Sequence, residues 1–385
     1  MNAAIIWAMK VPFNKPVYLS RSLKLIKKIV QADKQINIAG DGYYGKLCEA
    51  ELKKIYKREI LLTTSCTHAL EMAAILINTQ PGDEIIIPSY TFVSTALAFE
   101  DRGAKIRFID IDSGTGNITL DYINNAINKN TKAIVTVHYA GNSMEMDKLV
   151  RLCDKKKIFL IEDAAQALGS KYNGKLLGTF GDLGTLSFHE TKNITSGEGG
   201  ALIINNKKLL HRAKIIREKG TNRAQFKEGL VDKYSWVDIG SSYILSDLNA
   251  AYLYPQIAIY KKINNKRLNI IKQYKEGIKL KEPVYFIQTP KYNKSNGHLC
   301  AIVCKDNKQR QAFISFMKKH NVTTPFHYVS LHSSPYIINK YHRQEKLPNT
   351  DRLSNCLVRL PLYYDLKQEQ VNQVINITNR FFKQT

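Results

Sequence analysis

Residues 132–163, KAIVTVHYAGNSMEMDKLVRLCDKKKIFLIED, decide the fold class of this chain. Two short apolar runs, KAIVTV and KIFLIED, flank an amphipathic run, MDKLVRLCDKK. A strand-length run, a helical pattern and a second strand-length run are typical of a β–α–β unit. Strands that are buried on both faces read as near-continuous apolar runs, so the stretch predicts parallel strands covered by helices.

The same alternation extends outward from about residue 59 to residue 205. The further apolar runs are EILLTT, DEIIIP, AKIRFIDID, TLSFH and GALIIN, and helical patterns such as THALEMAAILI and FVSTALAFEDRG lie between them. They predict an α/β fold with a large, mostly parallel sheet. A long helical pattern follows at residues 244–274, with a kink predicted at Pro255. The mixed patterns after residue 276 predict a smaller α+β domain.

Composition limits the classes of function. The net charge of +24 comes from lysines spread along all 385 residues, and no run resembles a nucleic-acid-binding module, so nucleic acid is not the expected partner. The apolar start, MNAAIIWAMK, is shorter than the roughly 18 residues of a membrane span and lacks signal-peptide features. We therefore expect a cytoplasmic protein without membrane insertion. Six cysteines without CxxC spacing predict reduced thiols and no metal site.

A glycine-rich run at residues 40–45, GDGYYG, matches the G-x-G-x-x-G pattern of dinucleotide-binding loops. That fold needs a good strand before the loop and a carboxylate at the end of the next strand. Here the preceding run is thin, and the nearest acid, Glu59, stands at the start of EILLTT. We interpret the run as a glycine-rich loop that leads into a helix rather than as a nicotinamide or flavin site.

Three other features stand at predicted strand ends. The run TTSCTHALEMAA begins a helix, whose free N–H groups can bind a phosphate, although Ser65 or Thr67 can equally act as a helix cap. Asp163 ends KIFLIED, and by itself it is slightly better read as a cap for a helix over AAQALG. Lys192 follows TLSFH, and by itself it is best read as a solvated charge. Their order, helix start, acid and lysine, favours pyridoxal phosphate, which needs an acid for its ring nitrogen and a lysine for its aldehyde.

The chain resembles the DegT/DnrJ/EryC1/StrS family of pyridoxal-phosphate-dependent sugar aminotransferases. The likeness is carried by FIDID, VHYAG, EDAAQALGS, GDLGTLSFHETKN, EGGALI and SDLNAA. It implies the aspartate-aminotransferase-like fold (fold type I), with a large domain at residues 11–260 and a small domain at 261–385. Residues 1–10 would be an N-terminal extension. It also implies a homodimer with sites at the subunit interface.

The resemblance assigns roles to residues by position. Lys192 matches the lysine that binds the cofactor and moves protons, and Asp163 matches the partner of the ring nitrogen. The remaining matches are Gln166 for the ring hydroxyl, Phe92 for stacking on the ring, and Ser187 with the backbone around Cys66 and Thr67 for the phosphate. Glu190, inside the SFHETKN run, is given no role.

Two positions match less directly. Many members carry a G-x-N-Y-R run whose asparagine reaches the partner subunit's cofactor phosphate, and here Ser242 stands in its place. His327 matches a segment near the sugar site, where a structural histidine is an equal alternative.

The resemblance also implies a reaction. It is the transfer of an amino group from L-glutamate to C4 of a dTDP-linked 4-keto-6-deoxy sugar. A C3 aminotransferase, the opposite C4 stereochemistry, and a pyridoxal-phosphate-binding regulator or nucleic-acid-binding protein remain alternatives.

Overall fold

The computed structural model describes residues 9–31, 38–342 and 345–384, so most of the expected N-terminal extension lies outside the described residues. The α-helices are α1 Ser20–Val30, α2 Tyr43–Tyr56, α3 Cys66–Leu76, α4 Ser94–Glu100, α5 Leu120–Ala126, α6 Met146–Lys156, α7 Leu210–Arg217, α8 Arg223–Lys227, α9 Asp247–Ala258, α10 Tyr260–Gly277, α11 Asn307–Lys319, α12 Pro335–Tyr341, α13 Pro348–Cys356 and α14 Gln368–Gln384. The strands are β1 Glu59–Thr63, β2 Glu84–Pro88, β3 Lys105–Ile109, β4 Thr131–Val137, β5 Phe159–Asp163, β6 Lys171–Tyr172, β7 Lys175–Leu176, β8 Leu183–Ser187, β9 Gly200–Ile204, β10 Tyr285–Phe286, β11 Asn293–Lys294, β12 Ala301–Val303 and β13 Leu357–Arg359.

Seven strands form the central sheet in the order β1-β9-β8-β5-β4-β2-β3. Strands β3, β2, β4, β5 and β8 are mutually parallel, and β9 runs antiparallel to both β8 and β1. The expected α/β fold with a mostly parallel sheet is confirmed. The β4–α6–β5 unit is the stretch from which it was predicted.

Both faces of the central sheet are buried. In β2, Ile86 packs into one hydrophobic cluster, whereas Ile85 and Ile87 pack into a second cluster on the opposite face. Successive side chains of a strand point to opposite faces, so a strand with two buried faces must be apolar at nearly every position. That requirement explains the near-continuous apolar runs of the sequence.

A third hydrophobic cluster lies in the C-terminal part of the chain. It joins the small antiparallel sheet β10-β12-β13 to α11 and α14, with Phe313 and Val374 among its buried residues. Val11 belongs to the same cluster and forms a parallel bridge with Val322. The N-terminal segment therefore packs against the C-terminal part. The domain division at residue 260 stays a prediction.

The predicted long helix over residues 244–274 is two helices. The chain continues helically through Pro255, and the break lies four residues later at Ile259, between α9 and α10. The predicted position of the kink was therefore wrong by one turn. Beyond the break, Ile263 packs in the first cluster, and Ile270 and Tyr274 pack in the third. Helix α10 thus connects the two parts of the molecule.

The carboxylate of Asp247 occupies the space beside the glycine-rich run at residues 40–45. Gly42 precedes α2, and a Cβ atom at this position would lie 2.4 Å from Cγ of Asp247. The Asp247 carboxylate accepts hydrogen bonds from the N–H groups of Gly45 at 2.7 Å and Tyr44 at 3.3 Å. The start of α2 is therefore occupied by an internal anion, which explains why this pattern is not a dinucleotide site.

All six cysteines are free thiols. Across residues 9–31, 38–342 and 345–384, no helix is both long and apolar enough to cross a membrane. The same residues contain no group of three or more His, Cys, Asp or Glu side chains arranged to hold a metal ion.

Candidate active site

A cavity of about 710 Å³ opens at the carboxyl ends of the parallel strands. Val137 at the end of β4, Asp163 at the end of β5 and Ser187 at the end of β8 all line it. Open α/β sheets bind ligands at this edge, because the chain leaves each strand there and its loops diverge. The cavity also receives Cys66, Thr67, Phe92, Gln166, Lys192 and His327, so the structure brings together every predicted site residue except Ser242.

The start of α3 forms one wall of the cavity. Ser65 caps the helix by accepting a hydrogen bond from the N–H of His68 at 3.0 Å. The N–H groups of Cys66 and Thr67 have no hydrogen-bond acceptor among the described residues. A Cβ atom at Gly200 would lie 2.4 Å from the amide nitrogen of Cys66, so only glycine leaves this helix start open. Capping and anion binding are therefore compatible here.

Asp163 is buried and held by two donors. Its Oδ2 accepts a hydrogen bond from the Thr95 hydroxyl at 2.7 Å, and its Oδ1 accepts one from the N–H of Ala165 at 3.1 Å. The expected helix over AAQALG is absent, because residues 164–170 form turns. The helix-cap interpretation of Asp163 was therefore wrong. The carboxylate is instead an oriented acceptor at the cavity wall.

Lys192 lies in the loop after β8 and is only partly exposed. Its amine forms no hydrogen bond or ion pair with the residues that the structure describes. Burial lowers the pKa of Lys192, while Cys66 and Asp163 act in the opposite direction and the positive charge of Arg359 adds to the lowering. A lysine in such a place carries an unprotonated amine more often than a surface lysine. The surface-charge interpretation of Lys192 was therefore wrong.

Gln166 and Phe92 both lie next to Tyr328 in the cavity wall. Gln166 accepts a hydrogen bond from the N–H of Ala140 at 2.8 Å and donates one to the Tyr328 hydroxyl at 2.8 Å. The Phe92 ring is 6.4 Å from the Tyr328 ring, and 56% of its side chain is exposed. Because Phe92 is exposed in the cavity wall, its ring is free to stack on a planar ligand.

His327 stacks on Tyr328 with 3.7 Å between ring centroids. Its Nδ1 lies 2.9 Å from the Tyr139 hydroxyl. Burial lowers the pKa of His327 well below its usual value, and the positive charge of Arg359 acts in the same direction. The imidazole is therefore neutral at neutral pH. Its contact with Tyr139 is structural, and its place in the cavity wall leaves a role toward the sugar open as a proposal.

Sequence reasoning missed three groups in or beside the cavity. Thr95 lies in a helical pattern, and nothing in the sequence marks its contact with Asp163. His298 precedes β12 and Arg359 ends β13, so both are brought to the cavity by the C-terminal part. Arg359 donates to the Phe326 carbonyl and stacks over the Phe13 ring at 4.3 Å. It has no carboxylate partner within the described part of the chain. A histidine or arginine in a strand-like run gives no sequence signal of this placement.

Ser242 does not reach the cavity of its own chain. It is exposed and forms an antiparallel bridge with Glu218. This placement neither supports nor excludes a contact with the cofactor of a second subunit, and that contact stays a prediction. Glu190 is also exposed, and its carbonyl oxygen accepts a hydrogen bond from Asn14 at 3.3 Å.

The residues present fit pyridoxal phosphate. The open helix start at Cys66 and Thr67, kept free by Gly200, suits a phosphate. The Asp163 carboxylate suits a protonated ring nitrogen, and the accessible amine of Lys192 suits an aldehyde. Burial raises the pKa of the Cys66 thiol to about 12, so this cysteine stays protonated and does not compete as a nucleophile.

Comparisons with known proteins identify the family of this chain. Residues 23–379 match the model of the DegT/DnrJ/EryC1/StrS aminotransferase family. The chain is 31% identical to GDP-perosamine synthase of Escherichia coli O157:H7 over 320 residues, which cover 82% of this chain and 84% of that protein.

Solved structures of aminotransferases also superpose on this chain. The aminotransferase TlmJ of Streptoalloteichus hindustanus has 25% identity and a TM-score of 0.88, covering 98% of this chain and all of TlmJ. The fold is shared as well with the PLP form of a putative sugar aminotransferase, Spr1654 of Streptococcus pneumoniae, at 22% identity and a TM-score of 0.89, with 98% and 99% covered.

Proposed function

The chain belongs to the DegT/DnrJ/EryC1/StrS aminotransferase family, and from this premise we propose that it transfers an amino group from L-glutamate to C4 of dTDP-4-keto-6-deoxyglucose. The product would be dTDP-4-amino-4,6-dideoxygalactose. Pyridoxal phosphate is the cofactor, and sugar amination is the activity of the family. The observation that carries the proposal is the accessible amine of Lys192 in one cavity with the oriented carboxylate of Asp163.

The first half of the reaction takes the amino group from glutamate. Bound pyridoxal phosphate supplies the carbon that carries the amino group and a ring that stabilises negative charge at the reacting carbon. Asp163, fixed by Thr95 and Ala165, keeps the ring nitrogen protonated. Lys192 would remove the proton from Cα of glutamate and return it to the cofactor carbon that keeps the amino group. Its lowered pKa favours this step, since a general base must be unprotonated near the working pH.

The second half delivers the amino group to the sugar. The same amine of Lys192 would take that proton back from the cofactor carbon and give a proton to C4 of the sugar. The face of the sugar that Lys192 approaches therefore sets the configuration at C4. Arg359 lines the cavity and has guanidinium N–H groups that donate to none of the described residues, so it is suited to an anionic group of a substrate.

A homodimer is part of the proposal. Six large apolar or aromatic side chains of the segment 226–239 are exposed: Phe226, Leu230, Tyr234, Trp236, Val237 and Ile239, with 80% of Trp236 accessible. Exposed apolar side chains concentrated in one segment are typical of an interaction site. Ser242 follows the same segment, so a second copy that covers it would lie close to Ser242. This supports the expected contact of Ser242 with the partner's cofactor phosphate.

The choice of dTDP and C4 rests on the sequence. The runs LLTTSCTHALEMAA, SFHETKN and SDLNAAYL resemble the dTDP-4-amino-4,6-dideoxygalactose transaminase of enterobacterial surface-polysaccharide synthesis. A second candidate is a GDP-linked sugar, which is favoured by the 31% identity to GDP-perosamine synthase. The two candidates differ in the nucleotide and share the chemistry at Lys192.

Product analysis tests the proposal. Purified protein with pyridoxal phosphate and L-glutamate is incubated with dTDP-4-keto-6-deoxyglucose or with its GDP-linked 4-keto counterpart, and the products are identified by NMR. An axial C4 amine on the dTDP sugar is the expected product, and Lys192→Ala should abolish it. An equatorial C4 amine, a C3 amine, or turnover of the GDP sugar alone would refute the specific assignment.

A further inference from the structure

His298 faces the same cavity as Lys192 and has no role in the reaction described so far. Its Nδ1 lies 3.1 Å from Oδ1 of Asn193, the residue that directly follows Lys192. Its Nε2 forms no hydrogen bond with the residues that the structure describes and is not fully buried. One ring nitrogen is therefore tied to the Lys192 loop, and the other is accessible.

A buried amide network fixes the orientation of Asn193. The backbone carbonyl of Leu168 can only accept, so the group of Asn264 that meets it at 3.0 Å is the amide nitrogen. Oδ1 of Asn264 therefore faces Asn193 and accepts from its Nδ2 at 2.8 Å. The same Nδ2 donates to the carbonyl of Asn296 at 3.0 Å. Both donors of Asn193 are thus used, and its Oδ1 is left as an acceptor.

The tautomer of His298 follows from this network. Because Oδ1 of Asn193 accepts, Nδ1 of His298 must carry the proton that it donates. Burial lowers the pKa of His298 well below its usual value, and the positive charges of Lys192, Arg267 and Arg359 act in the same direction. The ring is therefore neutral, and a neutral ring protonated at Nδ1 presents an unprotonated Nε2 to the cavity.

We propose that His298 is a positioning residue whose Nε2 accepts a hydrogen bond from the protonated amine of Lys192. The amine is protonated within each half-reaction, after it takes a proton from one carbon and before it delivers a proton to the next. An acceptor at this point would hold the charged amine at the cavity wall. The inference rests on the proposed function only for the proton-moving role of Lys192, and it holds for any amino donor or sugar.

Two substitutions separate the two ring nitrogens. His298→Asn places an amide donor near the position of Nδ1 and keeps the bond to Asn193, but it removes the acceptor at Nε2. His298→Gln places an amide oxygen near the position of Nε2 and gives up the bond to Asn193. If His298 only supports Asn193, His298→Asn should stay closer to the wild type in the readouts below than His298→Gln. If its Nε2 accepts from Lys192, as proposed, His298→Gln should stay closer.

The first readout is the reactivity of Lys192 in the full-length chain without cofactor. Acylation of Lys192 by an amine-selective reagent is followed by mass spectrometry from pH 6 to 10. Loss of the acceptor destabilises the charged amine, so His298→Asn should lower the pKa of Lys192 and raise its reactivity at neutral pH by about tenfold, equivalent to one pKa unit. His298→Gln should stay closer to the wild type. An unchanged profile in His298→Asn would overturn the proposal.

The second readout is the holoenzyme. Glutamate-driven loss of the visible absorption of bound cofactor should be slower in His298→Asn than in His298→Gln. The reverse order would overturn the proposal, as would a change confined to the KM of the nucleotide sugar, since Nε2 would then serve the substrate.

If neither variant folds, nitrogen-15 NMR of the wild-type histidines decides, because a proton on Nε2 of His298 would overturn the assignment. Failure to make the dTDP product leaves all of these readouts intact, so the two proposals fail separately.

Discussion

At the residue scale, the charge around Lys192 sets the pH range in which its amine is a base. Burial is the largest cause of the lowered pKa of Lys192, and the positive charge of Arg359 lowers this pKa further. Arg359→Gln removes that charge, so the pKa of Lys192 should rise and its unprotonated fraction at a given pH should fall. The acylation profile of Lys192 should therefore move to higher pH, while Arg359→Lys should leave it in place. A profile that does not move in Arg359→Gln would contradict this origin of the shift.

Among the residues that the structure describes, the carboxylate of Asp163 has a single side-chain donor, Thr95. Thr95→Val keeps the shape of the side chain but removes the hydroxyl that donates to Asp163 at 2.7 Å. A buried acceptor that loses its partner costs about 1–3 kcal/mol. We expect weaker binding of pyridoxal phosphate, measured by titration of its absorption, and a lower thermal unfolding temperature. Thr95→Ser, which keeps the hydroxyl, should restore both. Equal affinities of the Val and Ser variants would refute the positioning role of Thr95.

Asp163 and Lys192 were predicted from the residues themselves, because each stands at or shortly after a strand end, whereas Ser187 was expected only from the family resemblance. Parallel strands bring such ends to one edge of the sheet. His298 and Arg359 could not be found this way. They belong to the C-terminal part, and their place at the cavity depends on how that part packs against the central sheet. A sequence pattern of period two or 3.6 carries no information on that packing.

At the element scale, two helix starts that the sequence offered as phosphate-binding candidates have different roles. The glycine-rich run before α2 is closed by the carboxylate of Asp247, which comes from α9, about 200 residues later. Within the described part of the chain, the start of α3 has no such internal anion, and it opens into the cavity. The same physical property, free N–H groups with a partial positive charge, serves packing in one case and binding in the other. The difference is tertiary, and local sequence could not reveal it.

The open start of α3 depends on Gly200. A Cβ atom there would lie 2.4 Å from the amide nitrogen of Cys66, so Gly200→Ala must shift the helix start. Overpacking of this kind costs about 1–3 kcal/mol. Because the shift acts on the proposed phosphate site, affinity for pyridoxal phosphate should fall more than affinity for pyridoxal, which lacks the phosphate. The matched control is Gly114→Ala, whose nearest neighbour would be 3.4 Å away and which lies outside the cavity wall. An equal loss for both ligands would argue against a phosphate at this helix start.

At the scale of the whole molecule, the fold class could be predicted from the residues, whereas the association of subunits was expected only because of the family resemblance. The central sheet was predictable because burial on both faces leaves its mark on every strand. The segment 226–239 carried no such periodic pattern in the sequence, and its exposed apolar side chains become visible only once the chain is folded. Homodimer formation is therefore tested best at this segment.

Trp236→Lys places a charge in the centre of the apolar segment, and we expect it to shift the protein from dimer to monomer in analytical ultracentrifugation. Each chain carries a net charge of +24, so added salt should strengthen wild-type association by screening repulsion between the copies. If Ser242 reaches the partner's cofactor phosphate, the monomeric variant should also bind pyridoxal phosphate more weakly. Ile338→Lys, an exposed apolar position on α12, is the matched control and should remain dimeric. A Trp236→Lys variant that stays dimeric would show that the segment 226–239 is not the interface, and the proposed contact of Ser242 would lose its support.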